Sequence, residues 1–187
     1  MNTLAEKLAD AWIKKDLIDV KPEDFPKSRK DSHLIQEQFH KVLKKKTVGW
    51  KIGMVTKSLQ DGAKVDGPMI GKIIDETVLK NPLKIQYSKV PHCILECEFA
   101  LKFLEDTKMV AGAENKNNNY EIYISLELVS TRITPDSKKN LNSGELMLLN
   151  VADNGGAGAI VIGDKIQNID NVNLNSVEVE VNLNGKI

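Results

Sequence analysis

Apolar residues recur at helical spacing in the first quarter of the chain. The pattern over residues 4–15 predicts one helix, with a capping-box pair at its start. A second apolar stripe predicts another helix, which begins at Asp31 or Ser32 and ends in a run of lysines that suits the helix dipole. Residues 1–47 are therefore predicted to form a helical region.

After Val48 the apolar spacing shortens to two, which is typical of strands. Strands are predicted over residues 49–53, 77–79, 83–87, 94–103, 120–129, 159–162 and 177–183. Glycines and prolines predict a mostly irregular stretch that ends at Gly71. Residues 48–187 are therefore predicted to be a β-rich core, and the whole chain an α+β fold.

The strand predicted over 94–103 carries the most informative polar residues. Side chains alternate along a strand, so Glu96 and Glu98 lie on one face while apolar residues occupy the other. A solvated acidic face is the ordinary explanation of such a pattern. The alternative is a divalent cation between the carboxylates, because oxygen ligands suit hard cations such as Mg²⁺ and Mn²⁺. The local pattern leaves both readings open.

The composition argues against several classes of partner. The 26 basic and 26 acidic residues cancel, so nothing predicts binding to nucleic acid or to an anionic membrane. The apolar runs are too short to span a bilayer, and the amino terminus lacks a signal-peptide pattern, which predicts a cytoplasmic protein. Cys93 and Cys97 would lie about 13 Å apart on one strand, too far for a disulfide.

The end of the chain carries a strong hairpin signal without a returning strand. Asn184 and Gly185 favour a tight turn, yet only two residues follow them. Either the chain stops short of a complete domain, or another chain supplies the strand; a frayed tail after an ordinary turn is the alternative. Because an incomplete core exposes strand edges, we expect a homo-oligomer.

Seven segments of the chain together carry a family resemblance. They are Val48–Gly53, Val65–Pro68 with Gly71, Ser88–Val90, Leu95–Ala100, Leu126–Ile133, Ala152–Gly158 and Val161–Gly163. In order and spacing they resemble the fumarylacetoacetate hydrolase superfamily, and most closely its 2-keto-4-pentenoate hydratase / 4-oxalocrotonate decarboxylase branch. The resemblance implies a mostly antiparallel, curled β-core. It also implies a carboxyl end cut short, because family members continue for roughly a third more chain.

The resemblance also implies a set of site residues. A divalent cation, Mg²⁺ or Mn²⁺, would be held by carboxylates at three positions, which are Glu96, Glu98 and Glu127. Lys51 matches the family's lysine and is the candidate acid or base. The family's glycine-rich loop, which binds substrate, corresponds to Asn154, Gly155 and Gly156. The expected substrate is a small 2-keto acid.

The implied activity is that of a metal-dependent lyase. The first expectation is hydration of 2-hydroxypenta-2,4-dienoate, and the alternatives are decarboxylation of 4-oxalocrotonate, hydrolysis of an acylpyruvate, or a non-catalytic truncated family member. The chain departs from the family at three points. It has Gly156 in place of a serine, Met69 in place of an acidic residue, and Ile94 in place of an arginine.

Overall fold

The computed structural model describes residues 3–81, 84, 93–104, 120–167, 173, 176–182 and 185–186. Its helices are α1 (Leu4–Lys14), α2 (Arg29–Leu43), α3 (Lys57–Ala63), α4 (Pro135–Lys138) and α5 (Ser143–Ala152). Its strands are β1 (Thr47–Gly53), β2 (Met69–Ile74), β3 (Val78–Lys80), β4 (Ile94–Phe103), β5 (Tyr120–Val129) and β6 (Ala157–Lys165). Short 3₁₀ helices cover Pro22–Asp24, Asp75–Thr77 and Asn154–Gly156. The predicted α+β fold class is confirmed.

The helix α2 begins earlier than the sequence predicts. The Ser28 side chain caps it by accepting a hydrogen bond from the Asp31 backbone N–H. The prediction of Asp31 or Ser32 as the cap was wrong, because Ser32 lies inside the helix. There it is fully buried, and its hydroxyl donates to the Ser28 carbonyl. A serine in the first turn can bond to the preceding turn in this way, so capping residue types alone do not fix the boundary.

The stretch between β1 and Gly71 is more ordered than predicted. It contains α3, which Thr56 caps by accepting the Leu59 backbone N–H, and the start of β2. β2 pairs antiparallel with β1 and forms a two-stranded sheet. The prediction of a mostly irregular stretch was wrong, since a capped helix and cross-strand pairing outweigh the poor propensity of glycine. The helices α4 and α5 were not predicted.

The second sheet has four strands in the order β3–β6–β5–β4. β5 is antiparallel to both β4 and β6, and β3 is parallel to β6. With the antiparallel pair of β1 and β2, the described strands are mostly antiparallel, as expected. Two register shifts interrupt the pairing of β5 with β6. Such irregularities bend a strand and increase its local twist.

The predicted strand bounds vary in accuracy. Those of β4 and β5 match to the residue, whereas β3 begins one residue later than predicted and β6 is longer at both ends. The prediction over 83–87 lies almost wholly outside the described residues. The prediction over 177–183 was wrong where it can be compared, because residues 177–182 have no regular structure. Alternating residues form a strand only beside a partner strand, and none is described there. Of the predicted turn, Gly185 has a φ of +81° and Asn184 lies outside the described residues.

The hydrophobic core lies where α1, α2 and α5 meet the end of β2. Its buried members are Leu4, Ala5, Leu8, Ala9, Trp12, Val20, Phe39, Leu43, Ile74, Ile133 and Leu149. This cluster joins residues from both sides of the predicted boundary at residue 47, which stays a prediction. No helix among the described residues is long and apolar enough to cross a membrane.

Candidate metal centre

Three carboxylates meet on one face of the four-stranded sheet. Glu96 and Glu98 lie on β4, and Glu127 lies directly opposite Glu96 on β5. One oxygen from each of the three side chains lies within 4.8 Å of the other two. Like charges that face each other across two strands destabilise the pair. The cluster therefore favours the binding of a cation or the uptake of a proton.

The geometry of the cluster fits a hard divalent cation. Oxygen ligands lie about 2.1 Å from Mg²⁺ and up to about 2.6 Å from Ca²⁺, so two of them are at most about 4.2 Å or 5.2 Å apart. The 4.8 Å spread suits the larger ion, and it suits the smaller one after a side-chain shift of under about 1 Å. Glu96 and Glu98 are exposed, whereas Glu127 is 7% exposed. A cation held there would be anchored on its buried side and open to solvent on the other.

Lys51 reaches this cluster from β1. Its Nζ lies 3.3 Å from Glu127 Oε1, and the two side chains are only 9% and 10% exposed. Gly71 is the partner of Lys51 across the β1–β2 pair, and a Cβ at that position would crowd Lys51 Cγ at 3.1 Å. The absence of a side chain at Gly71 thus leaves room for the lysine stem. Lys51 is a buried cation aimed at the carboxylates.

The electrostatics of Glu127 differ from those of an ordinary surface carboxylate. Burial raises the pKa of Glu127 above its usual value, the Lys51 ammonium opposes that rise, and the charges of Glu96 and Glu98 add to it. A group with this balance of effects is stabilised in its ionised form by any additional positive charge. A cation bound at the cluster would therefore lower the pKa of Glu127.

The loop predicted to bind substrate packs tightly against β2. Asn154, Gly155 and Gly156 are buried and have φ angles of +55°, +63° and +72°. The Asn154 amide makes two hydrogen bonds to the Lys72 backbone, accepting from its N–H at 2.8 Å and donating to its carbonyl at 2.9 Å. The role of these three residues in binding substrate stays a prediction, and the described amide of Asn154 is engaged by the protein itself.

Two buried partners of this loop were missed by sequence reasoning. His40 Nε2 lies 2.9 Å from Asn154 Oδ1, and burial lowers the pKa of this histidine. The Arg132 guanidinium pairs with the Asp153 carboxylate and donates to the Ala157 carbonyl. Arg132 and Asp153 both lie in segments that carry the family resemblance, but their separation along the chain gave no sign that they pair.

The opposite face of β4 and β5 is apolar and largely uncovered. We call it the apolar face, and its exposed side chains are Leu95, Phe99, Leu101, Phe103, Ile124 and Leu126, which are 39–59% exposed. The predicted separation of acidic and apolar faces on β4 is confirmed. Contiguous exposed apolar side chains of this kind mark interaction surfaces in many proteins.

Comparison with known proteins shows the fold. No protein-family model matches the sequence, and no curated protein matches it. Solved structures of similar fold include 4-oxalocrotonate decarboxylase from Pseudomonas putida G7, complexed with magnesium and adipate (TM-score 0.69) or with calcium and acetate (TM-score 0.65). Both are 20% identical to this chain. Each comparison covers 86% of this chain and 60% of the other, so this chain spans less than two thirds of that enzyme. The predicted fold is confirmed, since these solved structures share it.

Proposed function

We propose that the protein is a divalent-metal-dependent enzyme acting on 2-keto or 2-hydroxy-dienoic acids. The observation that carries this proposal is the cluster of Glu96, Glu98 and Glu127, with the Lys51 ammonium 3.3 Å from Glu127. The motifs of the sequence support it, and so does the fold, since the enzyme of similar fold is a decarboxylase complexed with magnesium or calcium. Hydration of 2-hydroxypenta-2,4-dienoate is the first reaction to test.

The arrangement suits this chemistry because each part has a separate task. A bound divalent cation would supply Lewis-acid polarisation of the oxygens of a 2-keto acid. Three carboxylates would leave coordination positions on the cation open for those oxygens. Because Glu96 and Glu98 are exposed, a small molecule could reach these positions from solvent. The Lys51 side chain lies beside the cluster. As an ammonium it can give a proton to a substrate carbon or oxygen, and as a neutral amine it can take one.

A Mn²⁺ titration tests the metal site directly. We expect Glu98→Gln to weaken Mn²⁺ binding at least about tenfold, because it removes one charged ligand. Glu121→Gln is the matched control, since Glu121 lies on the same face of β5 but outside the cluster, where it pairs with Lys165. Equal Mn²⁺ affinity in the wild type and in Glu98→Gln would rule out the proposed metal site.

Activity assays with Mg²⁺ separate the candidate reactions. The protein should be tested with 2-hydroxypenta-2,4-dienoate, 4-oxalocrotonate and an acylpyruvate, and Lys51→Met should lower kcat by about 10²- to 10⁴-fold on the active substrate. Decarboxylation is a specific alternative to hydration, because the solved structures of similar fold are of a decarboxylase. Absence of turnover with all three substrates would contradict the enzymatic proposal.

A non-catalytic assembly protein is the second candidate function. It is favoured by Gly156, which stands where the family loop has a serine, and by the uncovered apolar face. We propose that the chain forms a homo-oligomer in either case, which light scattering after gel filtration would test. A monodisperse protein that binds no Mn²⁺ would favour the non-catalytic candidate.

A further inference from the structure

The charges around the three carboxylates are distributed unevenly. Glu127 is the buried member, and the Lys51 ammonium is within ion-pair distance of it. In the part of the chain that the structure describes, no lysine or arginine forms such a pair with Glu96 or Glu98. Among the described residues, the one positive charge paired with the cluster is therefore on its most deeply buried carboxylate.

We propose that Lys51 competes with a divalent cation for Glu127 and so sets the affinity of the site. This inference rests on the proposed function, because it concerns the same site. A cation that coordinated Glu127 would stand within a few ångströms of the ammonium, and two positive charges at that distance in a poorly hydrated place repel each other strongly. The lysine must either move away from the carboxylate or remain beside the metal at a cost. Both routes weaken metal binding.

Two glycines leave room for the Lys51 side chain beside the carboxylate. Gly71 lies across the strand pair from its stem, and a Cβ built at Gly53 would be 3.9 Å from its Nζ. Lysine also has a flexible four-carbon stem and a compact ammonium, so rotation about its outer bonds can carry the charge away from Glu127. This combination provides a counter-ion for Glu127 that a stronger cation can displace.

The test is Mn²⁺ binding to the full chain, measured by calorimetry or electron paramagnetic resonance at a fixed pH and low ionic strength. Lys51→Met should lower the Mn²⁺ dissociation constant at least tenfold relative to the wild type. Lys51→Arg retains the charge and should bind no more tightly than the wild type. Lys51→Gln keeps a hydrogen-bond donor without the charge, so it tests the same inference should the methionine variant fold poorly.

Two controls isolate the interaction with Glu127. Lys102→Met removes a lysine from the same face of the sheet, where it pairs with Glu121, and it should leave the Mn²⁺ affinity within about threefold of the wild type. In a Glu127→Gln background, Lys51→Met should change the affinity much less than it does in the wild type, because the group for which the two cations compete is gone.

Thermal stability, measured with and without Mn²⁺, provides a second readout. Removing Lys51 leaves Glu127 buried without its partner, so Lys51→Met should melt at a lower temperature without metal and gain more from Mn²⁺ than the wild type does. Wild-type binding that neither Lys51→Met nor Lys51→Gln tightens would overturn the inference while leaving the metal site in place. If the wild type and both variants bind no Mn²⁺, the proposed function falls together with the inference.

Discussion

The helical layer, formed by α1, α2 and α5, contains the same apolar residue types as the strand β4. The two regions differ in how far these side chains are buried. Phe39 in α2 and Leu149 in α5 are fully buried, whereas Phe99 and Leu101 on β4 are 42% and 50% exposed. An apolar side chain stabilises a fold in proportion to the surface that it removes from water. The helical layer is therefore expected to hold most of the stability, and β4 to be held mainly by its pairing with β5.

This difference matters because the candidate metal centre takes its carboxylates from both β4 and the neighbouring strand β5. Glu127 lies on β5, which has neighbouring strands on both sides, while Glu96 and Glu98 lie on β4, which is the outermost of the strands that the structure describes in this sheet. A cation bound by all three would link the edge strand to the interior of the sheet. The metal is thus expected to act on local stability as well as on chemistry.

The largest expected effect compares two phenylalanines. Phe39→Ala should lower the free energy of unfolding by about 3–5 kcal/mol, because it leaves a cavity in the packed core. Phe99→Ala should cost under about 1.5 kcal/mol, since much of that side chain already faces solvent. Urea unfolding measures both, and similar losses for the two variants would show that β4 is better packed than its exposure indicates.

Binding of Mg²⁺ should stabilise β4 more than it stabilises α2. At 100 times the dissociation constant, Mg²⁺ should stabilise the protein by about 2.7 kcal/mol. Amide hydrogen exchange in β4 should slow markedly with Mg²⁺, while exchange in α2 should change less because α2 is already protected by packing. Glu98→Gln is the control that should lose this protection. Slower exchange spread evenly over the chain would contradict a local link between β4 and β5.

The contact between β2 and the Asn154 loop can be broken at one glycine. Gly71→Ala should cost about 1–3 kcal/mol, because the new methyl group would overlap the Asn154 carbonyl oxygen and crowd the Lys51 stem. Gly62→Ala in α3 has no atom within 4 Å of the new Cβ and should be neutral or slightly stabilising. Thermal melting of both variants measures the difference, and two similar melting temperatures would argue against the close approach.

The smallest expected effect is a pH dependence from His40. Its pKa is lowered by burial, so the unfolded chain binds more protons than the folded one below pH 6.5, and stability is lost as the pH falls from there. The slope contributed by one such group is at most about 1.4 kcal/mol per pH unit. His40→Gln should flatten the dependence of the unfolding free energy on pH below pH 6.5, which urea unfolding at a series of pH values would measure.

The titration of Glu127 should change the stability with pH in the direction opposite to that of His40. Its pKa is raised, chiefly by burial, so the folded chain holds the proton to a higher pH than the unfolded chain does. Its contribution to stability therefore falls as the pH rises above about 4.5. The two groups change stability with opposite signs, so their contributions partly cancel wherever both titrate. Measuring His40→Gln and Glu127→Gln separately resolves them.

Local pattern predicted the parts of the fold in which one periodicity dominates. The alternation in β4 and β5 gave both strands to the residue, and the apolar stripes of α1 and α2 gave both helices. Local pattern failed for α5 and for the segment that contains α3. The apolar residues of α5 are not confined to one stripe, and the glycines around α3 resemble those of a loop. Both segments depend on caps and on packing that a short window does not contain.

The sequence by itself determined that Glu96 and Glu98 share a face, because a strand alternates its side chains whatever surrounds it. It also determined the fold class, through the change from helical to strand spacing at Val48. Only the tertiary structure decided that Glu127 lies opposite Glu96, that Lys51 is buried against it, and that the apolar side of β4 is uncovered. Register, burial and charge pairing depend on residues that are far apart along the chain, and no local pattern of residues contains that information.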